Sequence, residues 1–264
     1  MRLSLLCLAL TVFSPFALAQ TKFSYSNLDN LTNLEASTAD GTSTTGWGWC
    51  SDCAGGGSDA SSYQVSWGQQ PSVDGTGSAE FFISGPQYAN ALFWYKVGAN
   101  DNVTHYQYDF WVQVDSQAAS YAQALEFDTY HLTGGREYMF GTQCDYTKGY
   151  GHGRWDVWNQ EELKWQATST SCPGFVAGEW YHITWTFHRR SDTRMSFDTV
   201  KVEHYSSDLK KRYSSTSHSF NVSYPSSVMP AGWSHNLGVQ VQIDLNGLGG
   251  QVPMWVDKIN LAAW

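Results

Sequence analysis

Charge is scarce in this chain. Asp, Glu, Lys and Arg make up only 15% of its 264 residues, and 15 basic residues face 24 acidic ones, for a net charge of −9. A surface so short of Lys and Arg argues against phosphate backbones and anionic lipid headgroups, so neither nucleic acid nor a membrane is expected as partner.

Long apolar runs are also missing. The one that exists, Leu3–Phe13, is too short to span a bilayer. It follows Arg2 and precedes Ala17-Leu18-Ala19, a small-x-small cleavage pattern, so residues 1–19 are expected to be a secretory signal. Residues 20–264 then form a single exported domain, extracellular or periplasmic, of a length that allows a sizeable core. Cysteine is sparse as well. Discounting Cys7 in the signal leaves Cys50, Cys53, Cys144 and Cys172, an even set in an oxidising compartment. Three pairings are open, and local loop closure favours Cys50–Cys53 with Cys144–Cys172. A redox or zinc role for Cys50-x-x-Cys53 lacks a second such pair and a nearby His.

No amphipathic helix of any length is found, and the Gly-rich stretch Gly46–Ala60 has neither the preceding strand nor the following helix of a phosphate cradle. What the chain has in plenty is aromatic residues: 13 Trp, 15 Tyr and 13 Phe. These favour strands. Period-two alternation recurs from end to end. In His105–Val114, Tyr106, Tyr108, Phe110, Val112 and Val114 face one way, and His105, Gln107, Asp109, Trp111 and Gln113 the other. Glu179–Arg189 sets Tyr181, Ile183, Trp185 and Phe187 against Trp180 and His182. Leu237–Leu245 sets Val239, Val241 and Ile243 against Gln240, Gln242 and Asp244. Short strands with turn residues between them indicate an all-β jelly-roll sandwich.

The stretch Gln123–His131 carries the sharpest signal. Leu125, Phe127 and Thr129 form a core face, while Glu126, Asp128 and Tyr130 stand on the other at roughly 7 Å spacing. Two carboxylates on one face repel unless a cation, a ligand or a shared proton offsets them. Collecting the polar faces predicts one concave groove lined by Asp109, Trp111, Gln113, Glu126, Asp128, Tyr130, Trp180, His182, Gln240, Gln242 and Asp244. Amides and carboxylates there would bond hydroxyls, and indoles would stack on sugar rings, so a poly- or oligosaccharide is the expected partner.

The strand Leu125-Glu126-Phe127-Asp128-Thr129-Tyr130 resembles the Glu-x-Asp strand of the concanavalin A-like superfamily, which includes legume lectins and laminarinase-type glycoside hydrolases. The closing stretch Met254–Leu261 is similar to the last strand of such domains. The lectin resemblance implies a metal at Glu126 and Asp128, here at most one Ca²⁺, because Leu132 stands where those lectins supply an Asn. The hydrolase resemblance implies Glu126 as nucleophile with Asp128 beside it, but Tyr130 and His131 occupy the place of the second acid, leaving Asp109 or Asp244 to supply it. A lyase using Tyr130 and His182 as acid and base is a third reading. Binding without turnover is favoured over hydrolysis, and hydrolysis over elimination.

Overall fold

A computed structural model describes residues 21–30, 34–35, 46–52, 57–146 and 153–264. The expected signal segment, Cys53 and His152 lie outside the described residues, and so does the Cys50–Cys53 pairing. Strands dominate. In chain order they are β1 (Phe23–Tyr25), β2 (Leu34–Glu35), β3 (Trp47–Ser51), β4 (Ser58–Asp59), β5 (Ser62–Gln69), β6 (Ser78–Gly85), β7 (Ala89–Gly98), β8 (His105–Val114), β9 (Ala122–Thr133) and β10 (Arg136–Phe140). They continue with β11 (Thr142–Asp145), β12 (Arg154–Asn159), β13 (Lys164–Ser171), β14 (Trp180–Arg189), β15 (Arg194–Tyr205), β16 (Arg212–Pro225), β17 (Ser227–Val228), β18 (Asn236–Leu245) and β19 (Gly250–Ala263). The longest helix among the described residues is the six-residue Ser116–Tyr121, capped by Asp115, whose carboxylate accepts from the Gln117 N–H.

The strands make two sheets. One runs β16-β15-β14-β8-β19-β6-β5, with β1 on β19. The other runs β13-β12-β11-β9-β18-β7-β3-β2, with β10 beside β9, β17 beside β10 and β4 beside β7. Their inner faces meet in the β-sandwich that the alternation predicts. Tyr106, Tyr108, Phe110, Val112, Tyr181, Ile183, Trp185 and Phe187 from the first sheet are buried with Leu125, Phe127, Val239, Val241 and Ile243 from the second. Phe110 stacks on Phe127 at 4.4 Å between ring centres, joining the two central strands face to face. Cys144 and Cys172 form the expected disulfide, with 5.6 Å between their Cα atoms.

Two details depart from simple alternation. Gly134 and Gly135 both have positive φ (58° and 71°) and turn β9 into β10, as the Gly-Gly pair predicts, but the strand after the turn breaks at Gly141 into β10 and β11. In β19 the register shifts between Asp257 and Asn260, around Lys258 at φ 53°. That bulge returns Ile259 and Leu261 to the core and leaves Asp257 on the other face, so Asp257 and Ile259 do not share a face as the sequence suggests.

Candidate functional site

The two sheets divide the expected groove. β8 and β14 belong to the first sheet, β9 and β18 to the second. Side chains that avoid the shared core point to opposite outer surfaces. Asp109, Trp111, Gln113, Trp180 and His182 therefore lie on one side of the molecule, and Glu126, Asp128, Tyr130, Gln240, Gln242 and Asp244 on the other. Alternation assigned each strand its faces; it carried no information about which strands are neighbours.

On the first sheet, His182 sits between two carboxylates, 2.9 Å from Asp109 and 3.2 Å from Glu203, and stacks on Trp111 at 4.6 Å with the rings 6° from parallel. Thr184 donates to Asp109 at 2.6 Å, and Lys201 and Arg212 pair with Glu203. Burial lowers the basicity of His182, but the hydrogen bonds and charge of Asp109 and then Glu203 outweigh it and raise its pKa. His182, Asp109, Thr184 and Glu203 all have partners here, and the His182 ring covers one face of the Trp111 indole. Trp180, expected to face a groove, is 1% exposed. Tyr130 and His182, the pair required for elimination, are on opposite sides of the sandwich and cannot share a substrate.

The second sheet carries a different arrangement. Cross-strand register sets Asp156 (β12), Gln143 (β11), Glu126 (β9) and Gln242 (β18) in one row perpendicular to the strands. The row alternates carboxylates and amides, hydrogen-bonded in two pairs. Gln143 donates to Asp156 at 3.0 Å, and the Gln242 amide donates to both Glu126 and Asp244 at 2.9 Å. The neighbouring row runs Trp165 (β13), Trp158 (β12), Gly141, Asp128 (β9), Gln240 (β18), Trp94 (β7) and Gly48 (β3). Asp128 accepts the Thr142 N–H at 2.8 Å.

Glycines form beds for the aromatic rings. A side chain at Gly48 would meet the Trp94 indole at 2.4 Å, one at Gly141 would meet Trp158 at 2.8 Å and the Trp165 ring at 3.1 Å, and one at Gly238 would meet the Tyr130 hydroxyl at 2.4 Å. Trp94 thus lies down on the backbone of its neighbour and stays half-buried, with its other face outward. Trp158 and Trp165 are half-buried as well and meet edge to face at 5.3 Å.

Glu126 (4% exposed) and Asp128 (5%) form the floor. Burial, followed by the charges of Asp244 and Asp128, pushes the Glu126 carboxyl well above the usual range. Burial also raises Asp244 to about 6 and Asp128 to about 8, although the Thr142 N–H pulls Asp128 back. The Gln242 amide lies between Glu126 and Asp244, 2.9 Å from each, so the two carboxyl groups are neighbours. Their raised pKa values favour a retained proton as the offset, and after burial the charge of Asp244 acts most on Glu126. The Gln242 NH₂ donates to both carboxylates. Among the described residues no three His, Cys, Asp or Glu side chains are grouped to hold a metal ion.

Two buried polar atoms flank this floor without a hydrogen-bond partner among the described residues: the Tyr130 hydroxyl and the Asp156 Oδ1. Such atoms are costly unless something bonds them. Sequence reasoning missed Asp156, Gln143, Trp94, Trp158 and Trp165. The inward parity of Trp155 and Val157 already put Asp156 and Trp158 outward, and only the pairing of β12 with β11 was lacking.

No family model matches the sequence, and the comparison with curated proteins finds no match. Among solved structures the chain is similar to arcelin-5, a lectin-like defense protein from Phaseolus vulgaris, at 8% identity and TM-score 0.47, the match covering 93% of this chain and 99% of that one. It is similar to a lectin from Bauhinia forficata in complex with GalNAc at 8% identity and TM-score 0.44, over 92% and 99% of the two chains. An endo-1,3-beta-glucanase from Streptomyces sioyaensis matches at 13% identity and TM-score 0.39, over 95% and 99%. All three are concanavalin A-like sandwich folds. Function has to be read from the site's own chemistry.

Proposed function

We propose that the outer face of the second sheet binds a neutral saccharide and does not cleave it. The observation that carries this reading is the row Asp156, Gln143, Glu126 and Gln242 beside the Trp94 indole laid on Gly48, with two buried polar atoms left for a ligand to satisfy. Carboxylates and amides in a fixed row pair with sugar hydroxyls, and an indole held face-up offers an apolar surface for the C–H face of a ring. The acidity of the floor disfavours an anionic sugar. A protein of this kind is exported, in keeping with the Cys144–Cys172 disulfide.

Binding is favoured over hydrolysis by the Gln242 amide seated between Glu126 and Asp244. A retaining glycosidase holds its two carboxyl groups about 5–5.5 Å apart, with the scissile bond between them. An amide that donates to both carboxyls occupies that place. Calorimetry against neutral oligosaccharides, run beside a reducing-end assay on the matching polysaccharides, tests the reading. Binding without release of reducing ends is the expected result. Release that Glu126→Gln abolishes would establish the hydrolase instead.

A further inference from the structure

We infer that the ligand is an internal stretch of a linear neutral polysaccharide, about four sugar units long, lying across the strands rather than along them. This deepens the saccharide reading and rests on it. Two rows run side by side, perpendicular to the strands. The aromatic row passes from Trp165 and Trp158 through Gly141, Asp128 and Gln240 to Trp94 on Gly48. The polar ladder from Asp156 to Gln242 lies one side-chain step away, roughly 7 Å along the strands.

A chain resting on the first row therefore has hydrogen-bonding groups along its flank from β12 to β18, and Leu92 beside the Trp94 end. Lengthwise, β18 carries the polar series Gln240, Gln242 and Asp244, but among the described residues no pair of indoles brackets it. Along β9 the outward residues are Glu126, Asp128 and Tyr130, and beyond them the surface closes over Gly238 beneath the Tyr130 ring.

The spacing of the platforms gives the length. Gly48 on β3 and Gly141 at the start of β11 underlie Trp94 and Trp165, and they are separated by the steps β3–β7–β18–β9–β11. Four strand spacings amount to about 19 Å, which one sugar ring cannot cover and about four in a row can. The platforms stand at the two ends and the carboxylates in the middle. A ligand that touches both platforms passes over Glu126 and Asp128 with its interior units, so chain ends are not what is recognised.

Titration of the protein with neutral β-linked gluco-, xylo- and manno-oligosaccharides of one to six units tests this. Affinity should rise steeply up to about four units and then level off. Trp94→Ala and Trp165→Ala should each weaken the hexamer about tenfold or more and change the dimer about twofold or less. Trp111→Ala, on the other sheet, should change neither. Trp94→Phe keeps a ring on the Gly48 bed and should restore most of the loss, which separates a stacking role from a folding defect. Equal affinity for one unit and six would overturn the extended site while leaving saccharide binding intact. If no oligosaccharide of any length bound, the saccharide reading itself would fall, and the inference with it.

Discussion

At the scale of single residues, the carboxyl cluster has a pH signature. Glu126, Asp128 and Asp244 all have raised pKa values in the folded protein, Asp244 to about 6 and Asp128 to about 8. The folded state therefore holds more protons than the unfolded chain above pH about 4. Their stabilising contribution is complete below the unfolded carboxylate pKa and is lost as pH rises through 6 and then 8. Thermal melts from pH 4 to 8.5 should show Tm falling across that window. Glu126→Gln and Asp244→Asn should each flatten the fall, because each removes one of the paired acids. A slope identical in wild type and both variants would mean the three acids titrate as independent, hydrated groups.

Two tryptophans of similar sequence context make a second test at this scale. Trp185 is fully buried against Trp155, Phe187 and Phe220, whereas Trp111 lies half-exposed on the outer face of the first sheet. Trp185→Ala should cost on the order of 3–5 kcal/mol in denaturant unfolding, and Trp111→Ala far less. Trp180 belongs with Trp185 in this respect, since it is buried despite its outward parity.

Among the elements, the glycine beds are where sequence and site meet. Gly238 lies opposite Tyr130, and a methyl group there would come within 2.3 Å of the Tyr95 carbonyl and 2.4 Å of the Tyr130 hydroxyl. Gly238→Ala should therefore destabilise the protein by about 1–3 kcal/mol and displace the Tyr130 ring. Urea melts measure the first, and the fluorescence of Trp94, one row away, reports the second. The disulfide belongs to this scale as well. It ties β11, which supplies Gln143 to the ladder, to Cys172, 28 residues on. Replacing both cysteines by serine should cost about 3 kcal/mol. A melt unchanged by the double replacement would show that packing alone holds β11.

For the whole molecule, the governing fact is that two polar-aromatic surfaces face opposite ways. One is a knot around His182 whose charged groups pair with one another, and the other is a buried row around Glu126 flanked by the unpartnered Tyr130 hydroxyl and Asp156 Oδ1. Substitutions at Asp109, Trp111 and His182 should leave saccharide binding unchanged, while those at Gln143, Asp156 and Trp94 should weaken it. Calorimetry on single variants from each set would separate the surfaces. Loss of binding from the His182 side would show that the sheets are coupled.

The class of fold and the direction of most side chains were legible in the chain alone. Period two is a local property of the backbone, so Tyr106 to Val114 and Leu125 to Thr129 could be assigned to the core from their own strands alone. It also placed Glu126, Asp128, Gln242 and Asp244 away from the core, and charge repulsion between neighbouring acids required a partner for them. Only the tertiary structure decided which strands lie side by side. That pairing is set by contacts between residues far apart in the chain, and no short window records it. It moved Asp109, Trp111 and His182 to the far face, brought Asp156, Gln143, Trp94, Trp158 and Trp165 to the near one, and set Asp244 beside Glu126 with the Gln242 amide between them. The bulge at Lys258 is the local counterpart: one extra residue inverted the parity of the last strand, and period-two reading has no term for it.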